Sequence, residues 1–331
     1  MFEGKKILIT GGSGSLGRAL TRKLLESNVD TIRIFSRNEY QQMQMQNMFS
    51  DKRLRFLIGD IRDKDRLSRA LEDINIVIHA AALKHVPVAE YNPFESVKTN
   101  VYGTQNLIEA CLDKNVEMVL GVSTDKAVSP FNTYGATKFL MERLFVSANF
   151  YKGNHDVKFF CVRYGNVLGS SGSIVPNFVN QIKEGKKITV TDPTMTRFNI
   201  TMTQALDLII RALKNGTGGE LFVPKLKAYT VGDVKDAIRE LMKSNAETEI
   251  ISIRAGEKYH ESLISIDEIR NTYESKEDYI IFEEQTQNHK LKDSNAIKSK
   301  LKTQYSSDKV ELLSINEIKN LLVRENLVPV S

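Results

Sequence analysis

The sequence has little cysteine, little proline and no tryptophan: two cysteines and seven prolines occur among its 331 residues. Cys111 and Cys161 each lie inside an apolar run, so they predict neither a disulfide framework nor a cysteine-rich metal site. A reducing compartment, the cytoplasm, is therefore expected. There is no run of about 18 apolar residues and no secretory leader pattern, which predicts a protein without a membrane segment.

A strong excess of charge of one sign is absent as well. The sequence has 46 Lys and Arg residues and 41 Asp and Glu residues, a formal net charge of +5. The basic residues are interspersed with acids, a pattern that does not indicate nucleic-acid binding and suits an anionic small molecule equally well. The five histidines show no metal-ligand spacing, so no metal site is predicted.

Short apolar runs alternate with amphipathic segments through the first half of the chain, which predicts βαβ units. Such units form an α/β, doubly wound parallel sheet of the Rossmann type, whose ligands bind beyond the carboxyl ends of the strands. The predicted strands are 6–9, 31–35, 55–58, 74–79, 118–122 and 158–162, and the predicted helices include 17–26, 64–71, 100–113 and 134–150.

The alternation weakens after about residue 166, which predicts a second and smaller part of the protein. Residues 203–214 resemble a helix and 220–224 a strand, and we expect both to return to the sheet. The prediction is a Rossmann domain of residues 1–166 and about 196–224, with a C-terminal substrate lobe of about 167–195 and 225–331. Residues 284–305 are polar and predict an exposed excursion before a last helix at Ile315–Arg324.

A glycine-rich turn follows the first predicted strand and leads into a helix that begins near Ser15. Glycines with this spacing allow a tight turn, a close approach of the backbone to a pyrophosphate and close packing of helix on strand. The N-terminus of the helix offers free N–H groups to the anion. The turn therefore predicts a dinucleotide cofactor, contacted by Gly11, Ser13, Gly14, Ser15, Leu16 and Gly17.

The residue about 20 positions after the last glycine distinguishes two dinucleotides, because an acid there binds the ribose of NAD whereas arginine accommodates the 2′-phosphate of NADP. Arg37 stands at this position and is preceded by Ser36. The sequence therefore predicts NADP as the cofactor. Asp60 and Ile61, at the end of the next predicted strand, are candidates to hold the adenine.

Tyr134 and Lys138 lie four residues apart and so share one face of a predicted helix. The positive charge of Lys138 is expected to lower the pKa of the Tyr134 phenol and make it a usable base toward a sugar hydroxyl. Ser123 ends an intervening predicted strand. Together with the glycine turn, these residues indicate a catalytic site.

With these motifs, the chain resembles the extended short-chain dehydrogenase/reductase superfamily from about residue 5 to 265. Within it, the chain resembles the nucleotide-sugar 4,6-dehydratases of polysaccharide and flagellin-sugar biosynthesis, above all the inverting UDP-N-acetylglucosamine 4,6-dehydratases that begin pseudaminic acid synthesis. The segments that carry the resemblance are HAAALKHVP (79–87), EYNP (90–93), TN (99–100), STDKA (123–127), RYGNV (163–167), MTRF (195–198) and RAGEK (254–258).

The pair Asp125 and Lys126 is the most specific part of the resemblance, because retaining relatives carry Asp-Glu there and inverting relatives carry Asp-Lys. The resemblance implies a carbon–oxygen lyase in which Tyr134 takes the 4-hydroxyl proton, Lys126 removes the C5 proton and Asp125 protonates the leaving hydroxyl. Hydride passes from C4 to NADP and returns to C6. Lys126 must be uncharged when it acts, so we expect burial or nearby Lys138 to lower its pKa.

The resemblance also implies further binding residues, and arginines among them suit a diphosphate. Those at the cofactor are Ala81, Lys84, Ser123, Tyr134, Lys138 and Val167. Those at the UDP-sugar substrate are Lys84, Tyr134, Asn166, Arg197, Arg254 and Glu257. Asn199 stands where close relatives usually have an aromatic residue, a departure that bears on the choice of sugar rather than on the reaction type. A homo-oligomer, dimer or hexamer, is a family-level expectation.

Two other functions stay open at this stage. A retaining nucleotide-sugar 4,6-dehydratase or a nucleotide-sugar epimerase would use the same cofactor, but Lys126 argues against retention and an epimerase needs no acid for departure at C6. A non-catalytic NADP-binding regulator would keep the fold but would not need Asp125, Lys126, Tyr134 and Lys138 together.

Overall fold

The computed structural model describes residues 1–170, 172–282 and 296–329. Its strands are β1 (Lys6–Thr10), β2 (Thr31–Ser36), β3 (Leu54–Ile58), β4 (Ile76–His79), β5 (Met118–Thr124), β6 (Lys158–Tyr164), β7 (Ile188–Val190), β8 (Thr196–Phe198), β9 (Leu221–Pro224), β10 (Ala228–Thr230), β11 (Thr248–Ile250), β12 (Ser262–Ile264), β13 (Thr272–Glu274), β14 (Asp278–Ile281), β15 (Ile297–Lys298) and β16 (Tyr305–Ser306).

The α-helices are α1 (Ser15–Leu25), α2 (Glu39–Phe49), α3 (Lys64–Ala70), α4 (Val86–Tyr91), α5 (Pro93–Val97), α6 (Gly103–Asp113), α7 (Thr133–Tyr151), α8 (Ile174–Lys183), α9 (Met202–Asn215), α10 (Val231–Leu241) and α11 (Ile315–Arg324). Shorter helical turns occupy Lys98–Tyr102, Asp125–Ala127 and Glu268–Asn271. The first of these is a π-helical turn, so the predicted helix from residue 100 begins with a widened turn.

One large sheet organises the described chain, with ten strands in the order β15-β13-β14-β9-β6-β5-β4-β1-β2-β3. The pairs from β9 through β6 and across to β3 are all parallel. This parallel part is the predicted doubly wound sheet, and β9 lies in it beside β6. Its central strands are mostly buried apolar runs because helices cover both faces; β4, for example, is buried at every position.

A second cluster of buried apolar residues lies outside the sheet and includes Phe178, Met195, Val234, Ile238 and Leu322. It packs α8, α10 and α11 against one another, within residues that the sequence assigned to a substrate lobe. Part of 225–331 also joins the large sheet, because β13, β14 and β15 extend it through antiparallel pairs. This placement depends on the hydrogen bonds between β14 and β9. Because the two strands are far apart in the sequence, local periodicity does not predict their pairing.

The predicted excursion at 284–305 lies partly outside the described residues. Its described part contains β15, at the edge of the large sheet, and Tyr305, which is buried and begins β16. The prediction of an exposed segment is therefore wrong for Tyr305, whose hydroxyl donates to Leu226 O and accepts from Leu226 N.

Helix α7 carries Tyr134 and begins at a well-formed cap. The Asn132 side chain accepts a hydrogen bond from Gly135 N at 2.8 Å, which satisfies a donor of the first turn. Its amide also donates to Gly256 O at 2.8 Å, so the cap joins the helix to the RAGEK segment. A side chain at position 135 would collide with the backbone oxygen of Lys126. The glycine therefore lets α7 pack directly on the Asp125–Ala127 turn.

A buried ion-pair network joins α7 and β6 to the turn at Glu268. Arg163 is 1% exposed, and its guanidinium donates to both oxygens of Glu142 and to both oxygens of Glu268. A buried charge of this kind needs partners on every donor. Arg163 therefore fixes the position of the chain that follows β6, where Gly165 and Asn166 lie.

The structure also bears on the two cysteines and on the absence of a long apolar run in the sequence. Cys111 and Cys161 are free and buried, and burial raises the pKa of both thiols, so neither is a reactive thiolate. Across the described ranges, no helix combines the length and the apolar character that crossing a bilayer requires.

Candidate active site

A cleft of about 490 Å³ opens at the carboxyl ends of β1, β4, β5 and β6, where a doubly wound sheet binds its ligands. It brings together most of the residues predicted from the sequence. Those that line it are Gly11, Ser13, Gly14, Ser15, Leu16, Gly17, Ser36, Arg37, Ile61, Ala81, Lys84, Ser123, Lys126, Tyr134, Lys138, Asn166 and Val167. Five other predicted residues do not line the cleft: Asp60, Asp125, Arg197, Arg254 and Glu257.

The glycine turn forms one wall of the cleft and leaves no room for a side chain at Gly11 or Gly17. Gly11 has φ of +66°, and a Cβ there would lie 2.8 Å from Ala81 N. A Cβ at Gly17 would collide with the backbone of Gly12. In the same cleft, the hydroxyl oxygens of Ser123 and Thr99 are buried without a hydrogen-bond partner in the described chain. A bare backbone cradle with unpaired hydroxyls fits a dinucleotide.

Arg37 lies at the end of the cleft where a ribose phosphate is predicted. Its side chain is 54% exposed, and Nη1 lies 3.7 Å from Asp60 Oδ2. Asp60 is held mainly by Arg62, which donates to both of its oxygens. Burial opposes ionisation of Asp60, but these hydrogen bonds outweigh it and lower its pKa. Asp60 therefore contacts Arg37 but does not line the cleft. That Asp60 holds the adenine stays a prediction.

Asp125 and Lys126 occupy the short turn after β5. Asp125 is 1% exposed, and its Oδ1 accepts from the Thr124 hydroxyl at 2.8 Å and from Lys126 Nζ at 3.0 Å. Its Oδ2 is buried with no partner in the part of the chain described. A Cβ at Gly165 would lie 3.2 Å from Oδ2, so this glycine leaves space beside the free oxygen.

The Lys126 amine contacts three oxygens from three parts of the chain. Besides Asp125, Nζ lies 3.3 Å from Asn166 Oδ1 and 3.2 Å from Glu261 Oε1. Burial lowers the pKa of Lys126, but the charges of Asp125 and Glu261 outweigh it and raise the pKa above its ordinary value. The expectation that its surroundings lower this pKa is therefore wrong, because two carboxylates stabilise the ammonium form.

Tyr134 and Lys138 share one face of α7, as predicted, but the predicted electrostatic effect between them is wrong. Burial raises the pKa of Tyr134 to about 12, and the charge of Lys126 and a hydrogen bond with Thr124 act against this rise. Lys138 Nζ instead donates to Val122 O at 2.6 Å. Burial lowers the pKa of Lys138 to about 8. The cation that acts on the phenol is thus Lys126.

The three predicted substrate residues outside the lining form a group beside the cleft. Arg197 is 7% exposed, and it donates to Thr196 O and Tyr259 O while pairing with Glu257 at 3.4 Å. Arg254 is exposed, and its backbone N–H donates to Glu257 Oε2 at 3.4 Å. Arg197 is therefore held by protein oxygens, and substrate contact by these residues stays a prediction.

Two residues that organise the site were not predicted for this role. Asn100, in the π-helical turn, accepts from Leu83 N and donates to Leu83 O and to Thr137 Oγ1, which holds the loop of Ala81 and Lys84 against α7. Glu261 is buried, and burial raises the pKa of its carboxyl. Asn100 lies in a motif that was noted, but nothing in the local sequence links Glu261 to Lys126.

The fold and the Tyr134–Lys138 site define an extended short-chain dehydrogenase/reductase. The family model described as polysaccharide biosynthesis protein matches residues 7–283. The chain belongs to this family.

Three known proteins are similar to most of the chain. The inverting UDP-N-acetylglucosamine 4,6-dehydratase of Campylobacter jejuni subsp. jejuni serotype O:23/36 is 47% identical, covering 85% of this chain and 84% of that protein. The UDP-glucose 4-epimerase of Rickettsia rickettsii is 38% identical, covering 98% and 96%. The X-ray structure of Pen from Bacillus thuringiensis superposes with a TM-score of 0.94 at 42% identity, covering 99% of this chain and 100% of that one.

Proposed function

We propose that the protein catalyses the NADP-dependent, inverting 4,6-dehydration of UDP-N-acetylglucosamine to UDP-2-acetamido-2,6-dideoxy-β-L-arabino-hex-4-ulose. The observation that carries this proposal is the contact of Lys126 Nζ with Asp125 Oδ1 at 3.0 Å, in the turn against which the Tyr134 helix packs. The choice of sugar and nucleotide is supported by the name of the 47% identical relative.

The residues of the glycine turn fit the cofactor, and Arg37 favours NADP because a guanidinium pairs well with a phosphate. The cofactor would be held by the turn, by Ser36 and Arg37, and by the loop of Ala81 and Lys84. When bound, it supplies the hydride acceptor for C4 and the hydride donor for C6.

Tyr134 begins the reaction by taking the proton of the 4-hydroxyl on its phenol oxygen. With a pKa of about 12, the phenol is almost entirely protonated near neutral pH and little phenolate is present to take the proton, so the positive charge of Lys126 and the hydrogen bond with Thr124 matter to this step. Both stabilise the phenolate. The same cluster that performs elimination thus prepares the base for oxidation.

Asp125 and Lys126 then remove water across C5 and C6. Transfer of one proton from Lys126 Nζ to Asp125 Oδ1, over 3.0 Å, gives a neutral amine and a protonated carboxyl without changing the net charge. With C4 as a ketone, the C5 proton is acidic, so the amine takes it while the carboxyl protonates the departing 6-hydroxyl. The pair ends as ammonium and carboxylate, its resting form. When hydride returns to C6, a proton that derives from solvent is added to C5 on the opposite face, which inverts that centre.

A nucleotide-sugar 4-epimerase is the second candidate, because the Rickettsia rickettsii relative with that name covers nearly the whole chain. An epimerase needs Tyr134 but has no use for an acid at C6. A retaining dehydratase needs the acid but leaves the configuration at C5 unchanged. The Asp125–Lys126 contact favours the inverting reaction over both.

The proposed function also includes the expected compartment, oligomeric state, pathway and domain roles. The enzyme would act in the cytoplasm as a homo-oligomer, a dimer or hexamer, at the start of a pseudaminic acid type of pathway. The Rossmann part would bind NADP, and the cluster of α8, α10 and α11 would form the substrate lobe. Sedimentation of the purified protein measures the oligomeric state.

The test is incubation of the protein with UDP-N-acetylglucosamine in D₂O, followed by NMR of the product. A 6-deoxy-4-keto sugar with deuterium at C5 and the L-arabino configuration is expected. The D-xylo ketone would establish the retaining reaction instead, a C4 epimer would establish the epimerase, and unchanged substrate across several UDP-sugars would contradict all three.

A further inference from the structure

Glu261 is a buried carboxylate at Lys126 that the proposed reaction does not use. The residue is 2% exposed, and its Oε1 lies 3.2 Å from Lys126 Nζ. Its second oxygen, Oε2, is buried with no hydrogen-bond partner among residues 1–170, 172–282 and 296–329. A carboxylate in such a place costs free energy unless its charge is compensated, and Lys126 is the cation in contact with it.

The backbone of Glu261 is fixed by Ser307, which in turn contacts Thr196. Glu261 N donates to Ser307 Oγ at 3.0 Å, and Ser307 N donates to Glu261 O at 2.8 Å. Ser307 is fully buried, and its hydroxyl also lies 2.7 Å from Thr196 Oγ1. The pairing of β12 with β16 continues this connection. The carboxylate therefore reaches Lys126 from a segment whose backbone is hydrogen-bonded to Ser307 on both its N–H and its carbonyl.

The three oxygens around Lys126 match the three N–H bonds of an ammonium group. When one proton passes to Asp125, two N–H bonds remain, and Asn166 Oδ1 and Glu261 Oε1 are placed to accept them. The lone pair of the amine then takes the place of the third N–H bond, the one that pointed toward Asp125. A base and an acid that act on adjacent carbon atoms must lie side by side in this way. Without Glu261 the amine could rotate and its lone pair would lose this direction.

We propose that Glu261 is a positioning residue that orients the Lys126 amine for removal of the C5 proton, an assignment that rests on the proposed function. It acts through Lys126 and does not itself exchange a proton with the sugar. Elimination should therefore depend on Glu261, whereas oxidation at C4, which Tyr134 performs, should not.

The test compares Glu261→Leu, which removes the acceptor, with Glu261→Gln, which keeps an oxygen at the same place. Glu249→Leu, at an exposed position of β11, is the matched control. NADPH formed in a single turnover reports C4 oxidation, and NMR in D₂O reports dehydration. We expect Glu261→Leu to slow dehydration about 10²-fold, as misplacement of a catalytic group does, with C4 oxidation and NADP affinity preserved. Glu261→Gln should restore most of the rate.

The isotope effect separates positioning from a structural role. With substrate deuterated at C5, the isotope effect on kcat should rise in Glu261→Leu, because breaking the C5–H bond becomes the slow step. Wild-type dehydration by Glu261→Leu would overturn the assignment, as would an equal loss of oxidation and dehydration or a failure of Glu261→Gln to restore the rate. Should Glu261→Leu not fold, as judged by thermal unfolding, Glu261→Asp replaces it. Asp keeps the charge but shortens the reach, so wild-type dehydration by that variant would also overturn the assignment.

The two proposals fail in different ways. If the wild-type enzyme forms no dehydrated product, the proposed function is wrong and this assignment falls with it. If the wild type dehydrates the sugar and the Glu261 variants match it, only the assignment of Glu261 is wrong.

Discussion

Lys126 Nζ lies 3.0 Å from Oδ1 of Asp125, its neighbour in the chain, and this contact joins the base and the acid of the proposed elimination. Lys126 rests as an ammonium, because the charges of Asp125 and Glu261 raise its pKa. The reactive form requires a proton to cross between the two residues. Lys126 also provides the positive charge that acts on Tyr134, so one side chain serves both the oxidation and the elimination.

Replacing Lys126 by Met should separate these two roles. Dehydration should be lost, while C4 oxidation in a single turnover should persist but require a higher pH. The reason is that removing the Lys126 charge raises the pKa of Tyr134 further, so less phenolate exists at any given pH. The pH profile of NADPH formation measures the shift. Lys138→Met is the comparison, and an upward shift in that variant larger than in Lys126→Met would contradict the electrostatic assignment.

Replacing Arg37 by Ala should weaken NADP binding by about 10- to 100-fold, since a hydrogen bond to a charged group contributes about 1.5–3 kcal/mol. Affinity for NAD should change little, because NAD lacks the 2′-phosphate. Calorimetric titration with both dinucleotides checks this, and NAD is the internal control. Equal losses for the two dinucleotides would show that Arg37 does not read the phosphate.

Replacing Gly11 by Ala should weaken dinucleotide binding at least about tenfold, which corresponds to about 1.4 kcal/mol. The matched control is Gly4→Ala, because both glycines have φ of +66° but a Cβ at Gly4 meets no atom within 4 Å. Both variants should lose roughly 1–2 kcal/mol of folding stability from the left-handed backbone. Only Gly11→Ala pushes against Ala81 N, so loss of dinucleotide affinity in Gly4→Ala would argue against the steric explanation.

His79 should make the protein less stable as the pH falls. It is fully buried between the hydroxyls of Thr10 and Thr104, and burial, assisted by the charge of Lys138, lowers its pKa to about 3. The unfolded chain binds a proton near its ordinary pKa of about 6.5, so between about 6.5 and 3 the unfolded state holds more protons. The free energy of unfolding therefore decreases as the pH falls through this window.

The variant His79→Gln measures this contribution. Between about pH 7 and pH 5, the wild type should lose about 2 kcal/mol more of its unfolding free energy than the variant, by linkage. Urea denaturation of both proteins at the two pH values gives the difference. Parallel pH dependence in the two proteins would mean that His79 is not neutral in the folded state.

The parts of the site that local sequence predicted are those built within single elements. The Gly11–Gly17 turn and the shared face of Tyr134 and Lys138 follow from the geometry of one turn and one helix. Asp125 and Lys126 are consecutive residues, so the sequence alone places them next to each other. The effect of Lys138 on the Tyr134 phenol was predicted wrongly, because helical spacing does not tell which cation or backbone carbonyl each side chain meets.

The sequence by itself determined the alternation of strands and helices, the glycine turn and the chemical groups of the site, because periodicity and spacing act over a few residues. Only the tertiary structure decided that Asn166 and Glu261 meet at Lys126, that β13, β14 and β15 extend the large sheet, and that Lys126 keeps its proton. These outcomes depend on burial and on partners distant in the chain. The few cysteines predict neither a disulfide framework nor a cysteine-rich metal site, but how the remaining side chains are arranged is a property of the folded chain.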